Sequence, residues 1–107
     1  MEPSLQAVFG AGATQTATTV TILKSDLPGL TPAADNRAES LLVAILLKAK
    51  ATLTTANQET NIEQSITIND GFVPSFVIRN NNQYRQDDIT VSLQKPAGSI
   101  AIDPDDY

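Results

Sequence analysis

Carboxylates are the side chains in this sequence that are best able to act in catalysis or to bind a metal, because it contains no histidine and no cysteine. Histidine is the usual acid–base group near neutral pH and the commonest metal ligand, and cysteine is a strong nucleophile and a soft-metal ligand. Asp103, Asp105 and Asp106 offer oxygen ligands of the kind that Ca²⁺ takes, but the segment lacks the glycine and the distal glutamate of a calcium loop. Asp87 and Asp88 are adjacent, so on a strand they face opposite ways. We therefore expect no catalytic residue, no metal and no cofactor.

Two further catalytic patterns are incomplete. Residues 9–12 contain two glycines in the manner of a phosphate-binding loop, without its third glycine, its Lys-Ser/Thr pair or its helix. No serine lies in a Gly-x-Ser-x-Gly nucleophile motif. The sequence therefore favours a protein that is not an enzyme.

Tyr84 and Arg85 are the best candidates for a binding contact, because both residue types are enriched at interface hot spots. The three asparagines at 80–82 predict a loop over residues 80–88, and loops often carry contacts while a scaffold holds them. Arg79 lies at the other base of that loop. One hypothesis is therefore a monomeric binding module whose 80–88 loop holds a peptide or a glycan.

The charge balance argues against several kinds of partner. The chain has 107 residues, and its net charge is −5 with no basic stripe. Nucleic acids and anionic membranes bind basic surfaces, so we expect neither as a partner. The longest apolar run, residues 41–47, has seven residues, against the roughly 20 that span a bilayer. The expected location is the cytoplasm or a larger assembly.

The first part of the chain is predicted to be an arm followed by a strand. Residues 3–23 carry no charge, and the glycines at 10 and 12 disfavour a helix. We expect residues 1–13 to form an extended, uncharged arm. Residues 14–23 are rich in β-branched side chains, which favours a strand. A single α+β domain over residues 14–102 and an acidic tail over 103–107 complete the expected organisation.

One main helix is predicted after a turn at residues 28–29. Thr31 is a suitable N-cap, and Pro32 suits the first helical position. Val43 and Leu47 fall about 120° and 160° from the centre of the apolar face, at about 100° per residue. They are either covered by the N-terminal arm within the monomer or in contact with a neighbouring subunit. The expected core face consists of Ala38, Leu41, Leu42, Ile45, Leu46, Ala49 and Leu53.

Strand-like segments follow the helix. Residues 65–68 alternate apolar and polar side chains, and the Asp-Gly pair at 70–71 is a hairpin signal. Residues 72–79 are the expected return strand, with Pro74 marking a sheet edge. Residues 89–93 and a short segment at Ile100 and Ile102 complete the set. The order predicts an α+β fold: an antiparallel sheet of four to five strands with one main helix packed on one face, preceded by an extended N-terminal arm.

An assembly role is the first hypothesis. The uncharged glycine- and threonine-rich segment 3–23, the Thr-x-Thr and Ile-Thr-Ile patterns and the missing catalytic residue types together resemble small structural proteins of tailed bacteriophages and phage-like particles. That resemblance implies a capsid-decoration, head–tail or tail component located in a virion or phage-like particle. The expected partners are copies of the same chain, as a homo-oligomer, or other particle subunits. The candidate interface residues are Val8, Phe9, Val43, Leu47, Arg79, Tyr84 and Arg85.

Overall fold

A computed structural model describes residues 1–71, 73–96 and 101–107 of the chain. The fold is mixed α/β with antiparallel strands, which confirms the α+β character expected from the sequence. The helices are α1 (Leu5–Phe9), α2 (Ala38–Thr52) and α3 (Thr55–Thr60). The strands are β1 (Thr14–Gln15), β2 (Val20–Thr21), β3 (Ile66–Asp70), β4 (Ser75–Arg79), β5 (Asn82–Gln86) and β6 (Ile89–Leu93). Short 3-10 turns lie at Lys24–Asp26 and Pro104–Asp106.

The N-terminal segment folds back onto α2, and its residues 5–9 are helical where the sequence suggested an extended arm. Ser4 caps α1 by accepting a hydrogen bond from the Ala7 N–H at 3.0 Å. Thr52 Oγ1 donates to the Ala7 carbonyl at 2.8 Å, which holds α1 against the end of α2. Gly10 has a φ of +119°, and a Cβ there would lie 2.5 Å from Asp26 Cβ. The glycines therefore permit a close turn in the backbone.

Residues 14–21 form a small hairpin in place of the single expected strand. Thr14 pairs with Thr21 in an antiparallel register. The Thr16 N–H donates to the Thr19 carbonyl at 2.8 Å, and the Thr19 N–H donates to Thr16 Oγ1 at 3.1 Å. Local hydroxyl-to-backbone bonds of this kind compete with a longer ladder. That competition explains why β propensity alone did not reveal the turn.

Helix α2 begins at Ala38 and not at Pro32, because a turn held by Asn36 comes first. Asn36 Oδ1 accepts from the Ala33 N–H at 2.9 Å, and Asn36 Nδ2 donates to the Thr31 carbonyl at 3.0 Å. Such asparagine side-chain bonds favour turns over helix. The expected turn at residues 28–29 is present, and Gly29 has the positive φ, +73°, that position i+2 of a type II turn requires.

Helix α3 was not foreseen, since residues 55–60 are polar apart from Ala56 and show no apolar periodicity. Thr54 is its N-cap and accepts a hydrogen bond from the Asn57 N–H at 3.0 Å. After α3 the chain enters β3, which pairs antiparallel with β6 from Ile66 opposite Leu93 to Asp70 opposite Ile89. This ladder is the sheet that lies against the helices.

A second ladder, formed by β4 and β5, extends from the end of the β3–β6 ladder away from the helices. Strand β4 pairs antiparallel with β5 and ends with Arg79 opposite Asn82. Asn80 and Asn81 form the connection with φ values of 52° and 63°, the left-handed pair that a two-residue type I′ hairpin turn requires. The Gly71 N–H donates to the Asp88 carbonyl at 2.7 Å between the two ladders. Segment 73–86 is therefore a projecting hairpin, which we call the β4–β5 hairpin.

This arrangement corrects three expectations. The Asp-Gly pair at 70–71 lies at the junction of the β3–β6 and β4–β5 ladders and is not the hairpin turn. Asn80 and Asn81 provide that turn ten residues later. Most of the predicted 80–88 loop is strand β5. The described strands form three two-stranded sheets and not one sheet of four to five. Phe72 and Ile100 of the predicted strands lie outside the described residues, and Ile102 lies in no described strand.

The hydrophobic core is small and lies between α1, the C-terminal part of α2 and the β3–β6 ladder. Leu42, which the helical wheel placed on the core face, is 57% exposed, because α1 and β3 cover only a narrow stripe of α2. The buried cluster consists of Ala49, Leu53 and Ile68, with Val8, Ile66 and Ile89 packed against it.

The chain is expanded for its size. Its radius of gyration is 16.2 Å, whereas a compact chain of this length has about 13 Å. Its accessible surface is 8164 Å², whereas a compact chain of 11.4 kDa has about 5,800 Å². The projecting β4–β5 hairpin and the small core account for this excess surface.

Candidate interaction surface

The β4–β5 hairpin is exposed along the whole length of both its strands. Every residue of β4 and of β5 is exposed to solvent. Within the described part of the chain, these two strands pair only with each other, so each has an open outer edge. A two-stranded hairpin alone is at best marginally stable in water. The hairpin therefore presents apolar side chains and backbone hydrogen-bonding groups together.

One face of the hairpin carries two large apolar side chains. Phe76 lies opposite Arg85, and Ile78 lies opposite Gln83, so these four side chains share a face because directly paired residues point the same way. Phe76 is 68% exposed and Ile78 is 80% exposed. Exposure of two such side chains to water is unfavourable. We call the surface formed by Phe76, Ile78, Gln83 and Arg85 the Phe76 face.

The other face carries an aromatic side chain that is stacked with a cation. Val77 lies opposite Tyr84, and the Arg79 guanidinium carbon lies 4.5 Å from the centre of the Tyr84 ring. That distance is within the range of a cation–π interaction. The structure thus brings Arg79 and Tyr84 together, as two of the candidate contact residues. Arg85, the third, lies on the Phe76 face, where its Nε donates to Asp87 Oδ1 at 3.1 Å.

Helix α2 provides a second exposed apolar surface. Val43 is 52% exposed and Leu47 is 37% exposed. Both line a groove of about 600 Å³ between α2 and the turn at residues 28–31. Leu30 contributes to the opposite wall, and Arg37 and Glu39 lie at the helix start. We call this surface the α2 groove.

Val8 and Phe9 are placed differently from the other candidates. Both are half-buried in their own chain, and Val8 packs against the core cluster. The N-terminal segment contacts α2, but Val43 and Leu47 stay exposed on another side of the helix. The alternative in which the segment covers these two residues is therefore not what the structure shows.

Phe76 and Ile78 are the main contact candidates that sequence analysis missed. In sequence they look like the inward face of a strand, because both are apolar and two residues apart. The consecutive asparagine pair fits a type I′ turn and would have set the pairing register, but it does not indicate whether the face that carries Phe76 and Ile78 is covered.

The polar residues weighed for chemistry are engaged in structural contacts. Asp103 caps the last 3-10 turn by accepting from the Asp105 N–H at 3.0 Å. Lys95 Nζ donates to Asp106 Oδ2 at 2.9 Å and to the Ala101 carbonyl at 2.7 Å. Ser92 stands three residues before Lys95, a Ser-x-x-Lys spacing that sequence analysis overlooked, but Lys95 lies beyond the end of β6 and its Nζ is engaged by Asp106 and the Ala101 carbonyl.

Residues 1–71, 73–96 and 101–107 contain no group of three acidic side chains that could hold a metal ion. In the same part of the chain, no helix has both the length and the apolar character needed to cross a bilayer. No protein-family model matches the sequence, and neither a curated protein nor a solved structure is significantly similar to it.

Proposed function

We propose that this chain is a non-enzymatic structural subunit that assembles with copies of itself, or with other subunits of a larger particle. The observation that carries this proposal is the β4–β5 hairpin, an ordered projection with Phe76 and Ile78 in water. Burying two such side chains stabilises a contact by roughly 1.5–3 kcal/mol each before association costs. An assembly supplies that burial, whereas the isolated chain does not.

The surface area supports the same conclusion. The chain exposes about 2,400 Å² more than a compact protein of its mass. A specific interface of standard size covers about 800 Å² on each partner. The excess is therefore large enough for more than one contact per copy, as a repeating assembly requires.

The proposed setting is a virion or phage-like particle, as a capsid-decoration, head–tail or tail component, and otherwise the cytoplasm. This setting rests on the resemblance of the sequence to small phage structural proteins. The open edges of β4 and β5 would accept further strands in such a particle. The proposal includes no cofactor and no nucleic-acid or membrane partner.

Leu47→Glu tests the assembly role, because it places a charge in the α2 groove without removing a core residue. We expect the full-length chain to elute as an oligomer in size exclusion with light scattering, and Leu47→Glu to elute as a folded species of lower mass. Ile62→Glu is the matched control, since Ile62 is 100% exposed and lies outside both surfaces. A wild-type chain that stays at 11.4 kDa at all concentrations, and fails to co-elute with any particle, would contradict the proposal.

A second candidate function is a monomeric binding module. The stacking of Arg79 on Tyr84 favours it, because a preorganised aromatic–cation pair is a common contact for a peptide or a glycan. In that case Tyr84→Ala would abolish capture of the partner and leave the oligomeric state unchanged.

A further inference from the structure

We propose that the β4–β5 hairpin of one copy docks in the α2 groove of a neighbouring copy, with the Phe76 face against Val43 and Leu47. This inference rests on the proposed function, and it names the occupant of the groove. The two surfaces belong to different parts of the chain, so the contact joins unlike patches on the two copies.

The spacing of the apolar side chains matches on the two surfaces. Phe76 and Ile78 are two residues apart on one strand, which places them about 6.8 Å apart at about 3.4 Å per residue. Val43 and Leu47 are four residues apart on a helix, which places them about 6 Å apart along the axis at about 1.5 Å per residue. Each apolar side chain of the hairpin thus has a counterpart on the helix.

The charges of the two parts are also complementary. Residues 73–86 contain Arg79 and Arg85 and no acid, which gives the hairpin a charge of +2. The whole chain has a net charge of −5, which leaves −7 on the rest. A basic hairpin is therefore attracted to the acidic body of another copy, and this attraction speeds association. At the groove itself Glu39 pairs with Arg37 at 3.4 Å, so the attraction acts between the whole hairpin and the body of the neighbouring copy.

A contact between unlike patches has a geometric consequence. Each copy offers one hairpin and one groove, so the contact can repeat until a ring closes, or continue as a filament. Two copies can also exchange hairpins reciprocally. The excess of about 2,400 Å² per chain leaves room for both the donor and the acceptor contact on every copy, at about 800 Å² each.

The test uses the absence of cysteine, which gives no background in disulfide trapping. A full-length chain carrying both Ile78→Cys and Leu47→Cys is oxidised and run without reductant. We expect a shift from the 11.4 kDa band to multiples of that mass, or to the dimer alone for reciprocal exchange, with position 78 joined to position 47 in the peptide map. Such a bond requires Cβ atoms within about 4.5 Å of each other.

The single variants serve as matched controls. Ile78→Cys alone and Leu47→Cys alone should stay monomeric on oxidising gels, because position 78 of one copy should contact position 47 of the next and not another position 78. A chain with Ile62→Cys and Leu47→Cys should not form the multiples. Disulfide dimers of either single variant would overturn the inference by showing like-to-like contacts, and a bond within one chain would show that the hairpin covers its own groove.

The two proposals fail in different ways. If the wild-type chain assembles in light scattering but the double variant gives no product joining positions 78 and 47, the hairpin–groove contact is wrong while the assembly role stands. If the wild-type chain is monomeric at every concentration, the contact falls together with self-assembly.

Discussion

The Gly71 N–H donates to the Asp88 carbonyl at 2.7 Å, and this bond lies between the β3–β6 and β4–β5 ladders. One ladder packs on the helices, and the other is exposed along its whole length. The bond therefore joins the core of the protein to the hairpin that we propose to be its main contact. A glycine is needed because a Cβ at position 71 would lie 2.7 Å from the Asp88 carbonyl oxygen.

Gly71→Ala tests this junction. The added Cβ forces the backbone of one strand to shift, which should lower the free energy of unfolding by about 1–3 kcal/mol. Amide hydrogen exchange over residues 75–86 should become faster, while the amides of α2 keep their relative protection. Ser75→Ala, at an exposed site on the same hairpin, is the control. Unchanged exchange in the hairpin of Gly71→Ala would show that the junction does not hold it.

The hairpin turn gives a pair of opposite predictions. Asn80 and Asn81 both have positive φ values, where a β-branched residue costs about 1–2 kcal/mol relative to its preferred backbone. Asn81→Val should therefore speed amide exchange in β4 and β5. Asn81→Gly should slow it, because glycine adopts this conformation without steric cost. Similar exchange rates in the two variants would contradict the type I′ turn.

The N-terminal segment is predicted to depend on the close approach of Gly10 to Asp26. Gly10 and Gly29 both have positive φ values, but only at Gly10 does an added Cβ meet another atom, at 2.5 Å; at Gly29 nothing lies within 4 Å. Gly29→Ala therefore measures the backbone cost alone. Gly10→Ala should lower the free energy of unfolding by about 1–3 kcal/mol more than Gly29→Ala does, as measured in urea. Equal losses would indicate that the segment is not docked as described.

The interaction between Arg79 and Tyr84 should contribute only a small coupling energy to the stability of the hairpin. A double-mutant cycle with Arg79→Ala and Tyr84→Ala should give a coupling energy of about 0.5–1 kcal/mol, the value for an exposed cation–π pair. Because both residues lie on the face opposite Phe76, the assembled mass of Tyr84→Ala should equal that of the wild type. Loss of assembly in Tyr84→Ala would move the contact to the other face of the hairpin.

Local patterns predicted the elements of this fold better than their arrangement. The apolar spacing around Ala49 and Leu53 identified α2, and the alternation at residues 65–68 and 89–93 identified β3 and β6, because burial on one face leaves a periodic trace. The start of α2 was misplaced by six residues, since the bonds of Asn36 to Ala33 and Thr31 favour a turn that periodicity does not record.

The candidate surface was predicted only in part, for a physical reason. Val43 and Leu47 could be singled out because they lie off the apolar face of a helix, and both are exposed. Phe76 and Ile78 could not, because a strand sequence looks the same whether its apolar face is covered within the chain or not. The residues that pair across the hairpin depend on the register set by the Asn80-Asn81 turn, and two hairpin signals competed in the sequence.

Sedimentation velocity of Phe76→Asp with Ile78→Asp most directly tests the claim that the hairpin face drives assembly. The control carries Ser75→Asp and Asn82→Asp, which add the same two charges to the other face at positions that are not paired with each other. We predict that the wild type and the control sediment as the same oligomer, and that the Phe76 and Ile78 variant sediments at 11.4 kDa with an unchanged circular dichroism spectrum. A variant that keeps the wild-type sedimentation coefficient across all concentrations would contradict the claim.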